Sequence, residues 1–438
     1  MRWVEVLGED ERESNPAMTS RFQVLNGQPK RSQMITTENA VKHEKRWRTD
    51  TGSFYLLMGV FFFIPIAMSP PAILGGLFLA ISLLSWGLVQ SRGFWLHQAW
   101  TKPVLLFMVL PWIGLLWTAD PVVGLRLAEK THYGLYSFAV ASMVPSVCSV
   151  PTLLSAFLVG LAVSAFLSLV RFFGRVPIVH IHHIAYSLLL VFGMLIVSFR
   201  LSKTRDKKEK WMLFFLLALF SLAVAFGKSR AGYLALMMLS PLMLHLVLKP
   251  RNMMKVGAMS IFVIGLLFLS PVVRQRVILI ATEIGTYESQ PNTSIGLRFH
   301  MWSGAVRIFL EHPLLGTGTG GIARAMEKYE RPRLTGIAFT QPHNSFLYMA
   351  ASFGLLGLIS ISWLFFVVLR KGWRARDSEA GFSIFVFVLV LLIGGLTDSQ
   401  ILSVQTGMLF SLLTGFPTEV APLPTEVAGA KSTLSHSA

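Results

Sequence analysis

Long apolar segments separated by short polar connections run through most of this chain. A helix needs roughly 17 to 25 apolar residues to cross the hydrocarbon core of a bilayer. Twelve segments approach that length, at approximately residues 52–69, 71–89, 103–118, 134–149, 152–170, 184–199, 211–227, 232–248, 255–271, 345–369, 381–397 and 399–416. Their apolar runs are continuous rather than alternating, and only a helix satisfies its own backbone groups in lipid. The pattern therefore predicts an all-α polytopic membrane protein with about twelve transmembrane helices.

One long polar interval interrupts this pattern, from about Pro271 to Asn344. It is rich in arginine and glutamate, and the chain becomes apolar again after it. We therefore expect one large loop that lies outside the membrane and contains helices of its own. The predicted divisions are a polar, disordered tail at 1–47, transmembrane helices 1–9 at 48–271, the loop at 272–344, transmembrane helices 10–12 at 345–416 and a C-terminal tail at 417–438.

Composition supports a membrane location. Of the 438 residues, 53% are hydrophobic and 14% are charged, and the mean hydropathy of +0.59 lies well outside the range of ordinary soluble domains. The formal net charge of +17 invites a nucleic-acid interpretation. However, the basic residues fall in short clusters between apolar segments, where membrane topology explains them better. The single cysteine, Cys148, excludes an intramolecular disulfide.

The basic clusters also predict the orientation of the chain. The connections 200–210, 249–255 and 370–376 are each rich in lysine and arginine, and all three follow an even-numbered segment. They therefore lie on one side of the membrane, and the positive-inside tendency makes that side cytoplasmic. Both tails are then expected in the cytoplasm, with the loop at 272–344 on the outer side.

Several basic residues run against this tendency, because they fall in outer connections: Arg126, Lys130, Arg171, Arg175, Lys228 and Arg230. One explanation is that their side chains extend to lipid phosphates at the membrane surface. The other is that several converge on a diphosphate, since guanidinium groups bind phosphate oxygens in bidentate fashion. The second explanation is favoured for Arg230 and the loop arginines, and the choice stays open for Arg126.

Within the loop, apolar residues spaced three and four apart predict a helix from Leu297 to Leu310, with Arg298 off its apolar stripe. Pro313 and the glycines that follow end this helix. The G-x-G pattern among those glycines is also typical of nucleotide-binding loops. That interpretation is rejected, because no strand precedes the pattern and no Gly-Lys-Ser/Thr follows it.

Histidine is the usual proton carrier at neutral pH, and His343 stands at the end of the basic loop, where an apolar segment begins. A neutral imidazole there is placed to act as general base for a sugar hydroxyl, and the alternative is an interfacial histidine that caps the helix. His180, His182 and His183 suggest a metal site, but no nearby Asp, Glu or Cys completes a ligand set. A structural role is favoured for that cluster.

These motifs together carry a resemblance. Ser229-Arg230 precedes an apolar segment, Arg298-x-x-x-Trp302 runs into His312-Pro313-Leu314-Leu315-Gly316-x-Gly318, and Pro342-His343-Asn344 is followed by Gly354-Leu355-Leu356-Gly357. In this order around one outer loop, the motifs resemble the bacterial O-antigen ligase family. That superfamily also includes O-antigen polymerases and protein O-oligosaccharyltransferases.

The resemblance implies a GT-C-like enzyme in the bacterial inner membrane with its active site facing the periplasm. It would transfer a glycan from undecaprenyl diphosphate to lipid A-core in lipopolysaccharide biosynthesis, by an inverting reaction that needs neither metal nor cofactor. Arg230 and Arg298 would hold the diphosphate and stabilise its departing charge, and His343 would orient or deprotonate the acceptor hydroxyl. Lys228, Asn344 and Trp302 complete the implied set of substrate-binding residues.

Three alternatives stay open. A polymerase or a protein O-oligosaccharyltransferase would use the same donor, and the sequence separates these from a ligase poorly. A polysaccharide transporter belongs to another class, and it predicts charges at the membrane midplane and a repeat between the two halves of the chain. The polar residues gather outside the apolar segments instead, which favours an enzyme.

Overall fold

The computed structural model describes residues 52–85, 95–143, 149–174, 183–227, 229–248, 253–286, 289, 292–330 and 341–418. These residues form α-helices joined by turns and short 3-10 segments, and they contain no β-strand, which confirms the all-α prediction. The helices are α1 Gly52–Phe63, α2 Ser69–Leu84, α3 Thr101–Ile113, α4 Pro121–Glu129, α5 Leu135–Met143, α6 Val150–Gly174, α7 His183–Lys203, α8 Lys207–Phe226, α9 Arg230–Leu248, α10 Met253–Leu267, α11 Pro271–Gly285, α12 Ser294–Glu311, α13 Ile322–Glu330, α14 Ser345–Arg374, α15 Glu379–Gly395 and α16 Val404–Thr414. The predicted tail at 1–47 and most of 417–438 lie outside the described residues.

Among the described helices, five are long and apolar enough to cross a membrane: α6, α7, α8, α9 and α14. Within its apolar stretch, 89% of α7 is buried inside the protein, compared with 22% of α8. Helix α7 is therefore central, and α8 presents large apolar side chains such as Trp211 and Phe215 to the outside. Such a surface suits lipid rather than water. The count of twelve spans stays a prediction.

Helices α7 and α9 approach closely at the start of α9. A Cβ built on Gly232 would lie 2.5 Å from the Cβ of Ser187, so any larger side chain would push the two helices apart. Small residues allow this kind of backbone approach between helices in membranes. Ser187 also donates a hydrogen bond of 2.7 Å to the hydroxyl of Ser229, the residue before Arg230. The Ser229-Arg230-Ala231-Gly232 sequence is thus fixed against the central helix.

Two of the predicted basic connections lie at the same end of the bundle. Arg200, near the end of α7, donates from Nε to Oε1 of Glu379 at the start of α15 over 2.7 Å, and from Nη1 to the hydroxyl of Ser155 on α6. Lys371, near the end of α14, donates to the carbonyl oxygens of Thr414 and Phe416, at the end of α16 and just after it. The connections around 200–206 and 370–376 therefore share one end, which we call the Arg200 end. The start of α9 lies at the opposite end, called the Arg230 end.

Helix α14 is broken at Gly354, where φ is +59° and ψ is −144°. The segment after α12 enters the break. The N–H of Leu355 donates to the carbonyl of Pro313 over 2.7 Å, and the N–H of Thr317 donates to the carbonyl of Ala351 over 3.0 Å. The sequence pattern predicts a span at 345–369, and α14 covers it, but the pattern gives no sign of the break. Apolar composition reports the length of a segment, whereas the break depends on a distant loop that supplies the missing hydrogen bonds.

Candidate functional site

A cavity of about 710 Å³ opens at the Arg230 end, between α6, α7, α8, α9, α11 and α12. Four arginines line it: Arg171, Arg230, Arg276 and Arg298. Its other walls combine apolar side chains such as Phe172 and Phe226 with hydroxyl groups from α6 and α7. A cavity that joins guanidinium groups to apolar walls suits a ligand with an anionic head and a hydrocarbon tail.

Arg230 is the first residue of α9 and forms a bidentate ion pair with Glu283 on α11. Its Nη1 donates to Oε2 over 3.0 Å and its Nη2 donates to Oε1 over 2.9 Å. Glu283 also accepts the N–H of Ile295, at the start of α12, over 3.1 Å. The hydrogen bond from Arg230 lowers the pKa of Glu283 below its ordinary value of 4.5, so this carboxylate is ionised at neutral pH.

Arg298 lies on α12 and borders the same cavity. In the described part of the chain it makes no hydrogen bond or ion pair. Burial lowers the pKa of Arg298, the charge of Asp398 raises it, and the charge of Arg230 lowers it. A guanidinium nevertheless keeps its proton throughout the physiological range. Arg298 is thus a half-buried cation close enough to both Arg230 and Asp398 for their charges to affect it.

His343 is paired with a carboxylate from a distant part of the sequence. Its Nδ1 lies 2.8 Å from Oδ1 of Asp398, which follows α15. A carboxylate only accepts hydrogen bonds, so Nδ1 carries the hydrogen and Nε2 keeps the lone pair of the neutral ring. The side chain of His343 is 38% exposed and that of Asp398 is 9% exposed, so the imidazole faces an open space while its partner is buried. This arrangement fits a general base oriented by a carboxylate.

The backbone at His343 adopts a φ of +49°, which is uncommon for a residue with a side chain. The turn is held from both sides. Asn344 caps α14 by accepting the N–H groups of Phe346 and Leu347, and it donates to the carbonyl of Leu396 over 3.2 Å. These bonds bring the start of α14 to the end of α15, beside Asp398. A strained residue held this firmly often marks a functional site.

Trp302 and Asn344 were both expected to touch substrate. Trp302 lies one turn after Arg298 on α12, and its indole Nε1 donates to the carbonyl of Pro342 over 3.0 Å. Both side chains therefore bond to the chain at the turn that carries His343. We accordingly propose a positioning role for the pair. Because Arg298 and Trp302 both lie on α12, the hydrogen bond from Trp302 to Pro342 also connects Arg298 to the turn that carries His343.

The remaining predicted residues include some that the structure does not describe and some that it places at the cavity or away from it. Lys228, His180 and His182 lie outside the described residues, and His183 lines the cavity. Within the described ranges, no three His, Cys, Asp or Glu side chains come together in a group. Arg126 is exposed on α4, away from the residues that line the cavity.

Asp398 and Glu283 are the residues that sequence reasoning missed. For Asp398 a signal was present, because a lone carboxylate at the end of an apolar segment is costly unless it has a partner. The nearest candidate cation along the outer surface is at the Pro342-His343-Asn344 turn, which begins another apolar segment. For Glu283 the interval contains several glutamates with similar surroundings in the sequence, so nothing singled it out.

Residues 213–362 match the family model described as Wzy_C, O-antigen ligase. No curated protein matches the chain. The matched range contains Arg230, Glu283, Arg298, Trp302 and His343, and it ends before Asp398.

Proposed function

We propose that this chain, whose residues 213–362 place it in the O-antigen ligase family, transfers an undecaprenyl-diphosphate-linked glycan to lipid A-core. Family membership supports a glycosyltransferase-like enzyme of the ligase or polymerase type that acts on lipid-linked glycans. The observation that carries the proposal is the position of Arg298. Arg298 borders the cationic cavity, is close enough to Asp398 to feel its charge, and shares α12 with Trp302, which bonds to the turn that carries His343.

The cavity is the proposed donor site. The diphosphate would lie among Arg230, Arg276 and Arg298, and the first units of the isoprenoid chain would lie against Phe172 and Phe226. Arg230 keeps N–H groups available while Glu283 holds it, because a guanidinium carries five of them and the ion pair uses one on Nη1 and one on Nη2. Glu283 thereby fixes the orientation of Arg230 toward the cavity.

The proposed reaction is a direct displacement at the anomeric carbon of the donor sugar. The acceptor hydroxyl oxygen forms the new bond to that carbon, and its proton passes to Nε2 of His343. The bond between the anomeric carbon and the phosphate oxygen breaks, and its electron pair stays on undecaprenyl diphosphate. Arg298 and Arg230 stabilise the charge that develops on this leaving group, and Asp398 stabilises the imidazolium. Attack from the face opposite the leaving group inverts the configuration.

The proposed location is the bacterial inner membrane, with the Arg230 end in the periplasm and the Arg200 end in the cytoplasm. The contacts of Arg200 and Lys371 support this orientation, because they collect two strongly basic connections at one end of the bundle. The apolar helices and the family match support a membrane protein. Lipid-linked glycan, lipid A-core and membrane lipids are the proposed partners.

The test uses purified protein, undecaprenyl-diphosphate-linked O-antigen and lipid A-core in excess EDTA. We expect glycan on lipid A, and we expect EDTA to be tolerated because arginines supply the positive charge at the leaving group. Longer lipid-linked glycan formed without lipid A-core would identify a polymerase instead. Transfer only to a protein acceptor would identify an O-oligosaccharyltransferase. Movement of glycan across the membrane with no new glycosidic bond would identify a transporter.

A second arm tests the role of His343. The His343→Ala variant should lose most of the transfer while it still binds the lipid-linked donor, because the arginines rather than the imidazole hold the diphosphate. Loss of donor binding and transfer together would contradict this division of roles. Loss of wild-type transfer in EDTA, with recovery in magnesium, would contradict the role given to the arginines.

A further inference from the structure

A buried chain of side-chain hydrogen bonds continues behind Asp398. Oδ1 of Asp398 faces His343, and Oδ2 accepts a hydrogen bond from Nε2 of Gln400 over 2.7 Å. Gln400 lies in the short 3-10 segment between α15 and α16 and is 1% exposed. Its own carbonyl groups accept the hydroxyl of Thr406, the backbone oxygen at 2.6 Å and the side-chain oxygen at 3.3 Å. The imidazole is thus connected to α16 through Asp398 and Gln400.

The amide of Gln400 has a defined orientation. A carboxylate only accepts, so the –NH₂ group must point at Asp398, and the side-chain oxygen then faces the hydroxyl of Thr406. Because Gln400 is almost fully buried, water cannot easily replace either bond. With both oxygens of Asp398 engaged, its carboxylate plane is fixed and Oδ1 stays directed at Nδ1 of His343.

We infer that Gln400 is a positioning residue for the transfer reaction, acting on His343 through Asp398. The inference rests on the proposed function. A hydrogen bond to a charged group in a buried site is strong, and partners of a residue that orients a catalytic imidazole affect its rate. Gln400 does not border the donor cavity, so its contribution should appear in kcat and not in donor binding.

Charged side chains on other elements face Asp398, among them His343 and Arg298. His343 lies at the start of α14, and Arg298 on α12 is near enough for the charge of Asp398 to raise its pKa. Gln400 is neutral and holds Asp398 without adding a charge beside either of them. A carboxyl group at position 400 would add a negative charge beside Asp398. A variant with that carboxyl group therefore provides a specific test of the inference.

The first test compares Gln400→Leu with wild type and with a control in the first turn of α16. Gln405→Leu is the control, because Gln405 is fully buried and its two amide atoms have no hydrogen-bond partner in the part of the chain described. We expect Gln400→Leu to lower kcat roughly tenfold or more with an unchanged KM for the lipid-linked donor. Gln405→Leu should keep kcat within about twofold of wild type.

The second test uses Gln400→Glu, which has nearly the same shape. At low pH the introduced carboxyl is protonated and can donate to Asp398 as the amide does. As the pH rises it loses this proton, and two carboxylates then face each other. The ratio of the kcat of Gln400→Glu to that of wild type should therefore fall by roughly tenfold between about pH 6 and about pH 9. A residue that only fills space would give a constant ratio.

A third measurement does not depend on transfer. Diethyl pyrocarbonate modifies neutral imidazole, and mass spectrometry can follow the reaction at the exposed His343. An added negative charge near Asp398 favours the imidazolium, which the reagent does not modify. Modification of His343 at neutral pH should therefore be slower in Gln400→Glu than in wild type. In Gln405→Leu its rate should equal that of wild type. If wild type shows no transfer, the proposed function fails while this measurement still decides the inference. The inference would be overturned if Gln400→Glu showed both an unchanged rate of His343 modification and a kcat ratio that does not vary with pH. This outcome decides the inference even if Gln400→Leu does not fold.

Discussion

The indole Nε1 of Trp302 donates a hydrogen bond of 3.0 Å to the carbonyl oxygen of Pro342, the residue immediately before His343. Trp302 follows Arg298 by four residues, so the two side chains emerge from neighbouring turns of α12. The helix that presents a cation to the cavity thus also holds the turn that presents the imidazole. This hydrogen bond is one of the contacts between α12 and the start of α14 that hold Arg298 and His343 relative to each other.

Removing the hydrogen bond while keeping an aromatic ring should loosen this link. We expect Trp302→Phe to lower kcat by about three- to tenfold, because a neutral hydrogen bond contributes about 0.5–1.5 kcal/mol and here fixes a catalytic geometry. Transfer kinetics and donor binding would be measured on the purified variant. Trp363→Phe is the control, since Trp363 lies exposed on the second half of α14. Equal kinetics in the two variants would contradict the positioning role of Trp302.

Replacing Arg298 and replacing Arg230 should have different effects on the stability of the protein. Arg298→Ala removes a cation that makes no ion pair within the described residues, so we expect a folded protein with transfer reduced a hundredfold or more, at about 1.4 kcal/mol per tenfold. Arg307→Ala is the matched control, because Arg307 lies exposed on the same helix. Near-normal glycan laddering in Arg298→Ala would remove Arg298 from the site. Lysine at position 298 should rescue poorly, since it lacks the planar fork.

Arg230→Ala, in contrast, should reduce stability as well as transfer. It leaves Glu283 largely buried without its partner, and breaking such a pair costs about 3–5 kcal/mol. The thermal midpoint in detergent should therefore fall in Arg230→Ala and recover when Glu283→Ala is added. Transfer should stay low in both variants. Recovery of transfer in the double variant would show that Arg230 serves only the fold.

Sequence analysis succeeded where the information is local. The apolar spacing predicts a helix at Leu297–Leu310, and α12 covers Ser294–Glu311. Both side-chain pairs at the site escaped it, because their partners are distant in the sequence. Arg230 and Glu283 are 53 residues apart, and His343 and Asp398 are 55 residues apart. Charge and hydropathy identify a residue that needs a partner, but the partner is set by how helices pack.

The Arg230–Glu283 pair predicts a pH dependence of stability. The folded-state pKa of Glu283 lies below its ordinary value of 4.5, so its stabilising contribution is fully present above about pH 4.5 and is lost as the pH falls through the folded-state value. Near pH 7 we expect Glu283→Gln to be about 1–3 kcal/mol less stable than wild type. The difference should shrink as the pH falls below about 4.5. Thermal unfolding in detergent at several pH values measures it, and a difference independent of pH would contradict this assignment.

The proposed orientation can be tested with reporters of membrane sidedness. A reporter fused after Lys208, at the Arg200 end, should report the cytoplasm. A reporter inserted near Gln290, between α11 and α12, should report the periplasm. The insertion near Gln290 lies between α11 and α12, and Lys208 lies in the first turn of α8, next to the connection that follows α7. The opposite pattern would overturn the orientation and the periplasmic site together.

The break in α14 gives the last prediction. At Gly354 a Cβ would lie 2.4 Å from the carbonyl carbon of Leu314, and the backbone has a φ of +59° that side-chain-bearing residues rarely adopt. Gly354→Ala should therefore cost at least about 1–3 kcal/mol of strain and expel the segment after α12 from the break. Gly76→Ala is the control, because nothing lies within 4 Å of a Cβ at that position on α2.

We expect Gly354→Ala to lower the yield of monodisperse protein and the transfer activity together, whereas Gly76→Ala should leave both near wild type. The activity should fall because the segment in the break follows directly from α12, which carries Arg298, while the first half of α14 begins next to His343. Size-exclusion chromatography and transfer per folded molecule separate the two effects. If Gly354→Ala retains full transfer per folded molecule, the break serves folding only, and the relative placement of Arg298 and His343 does not depend on it.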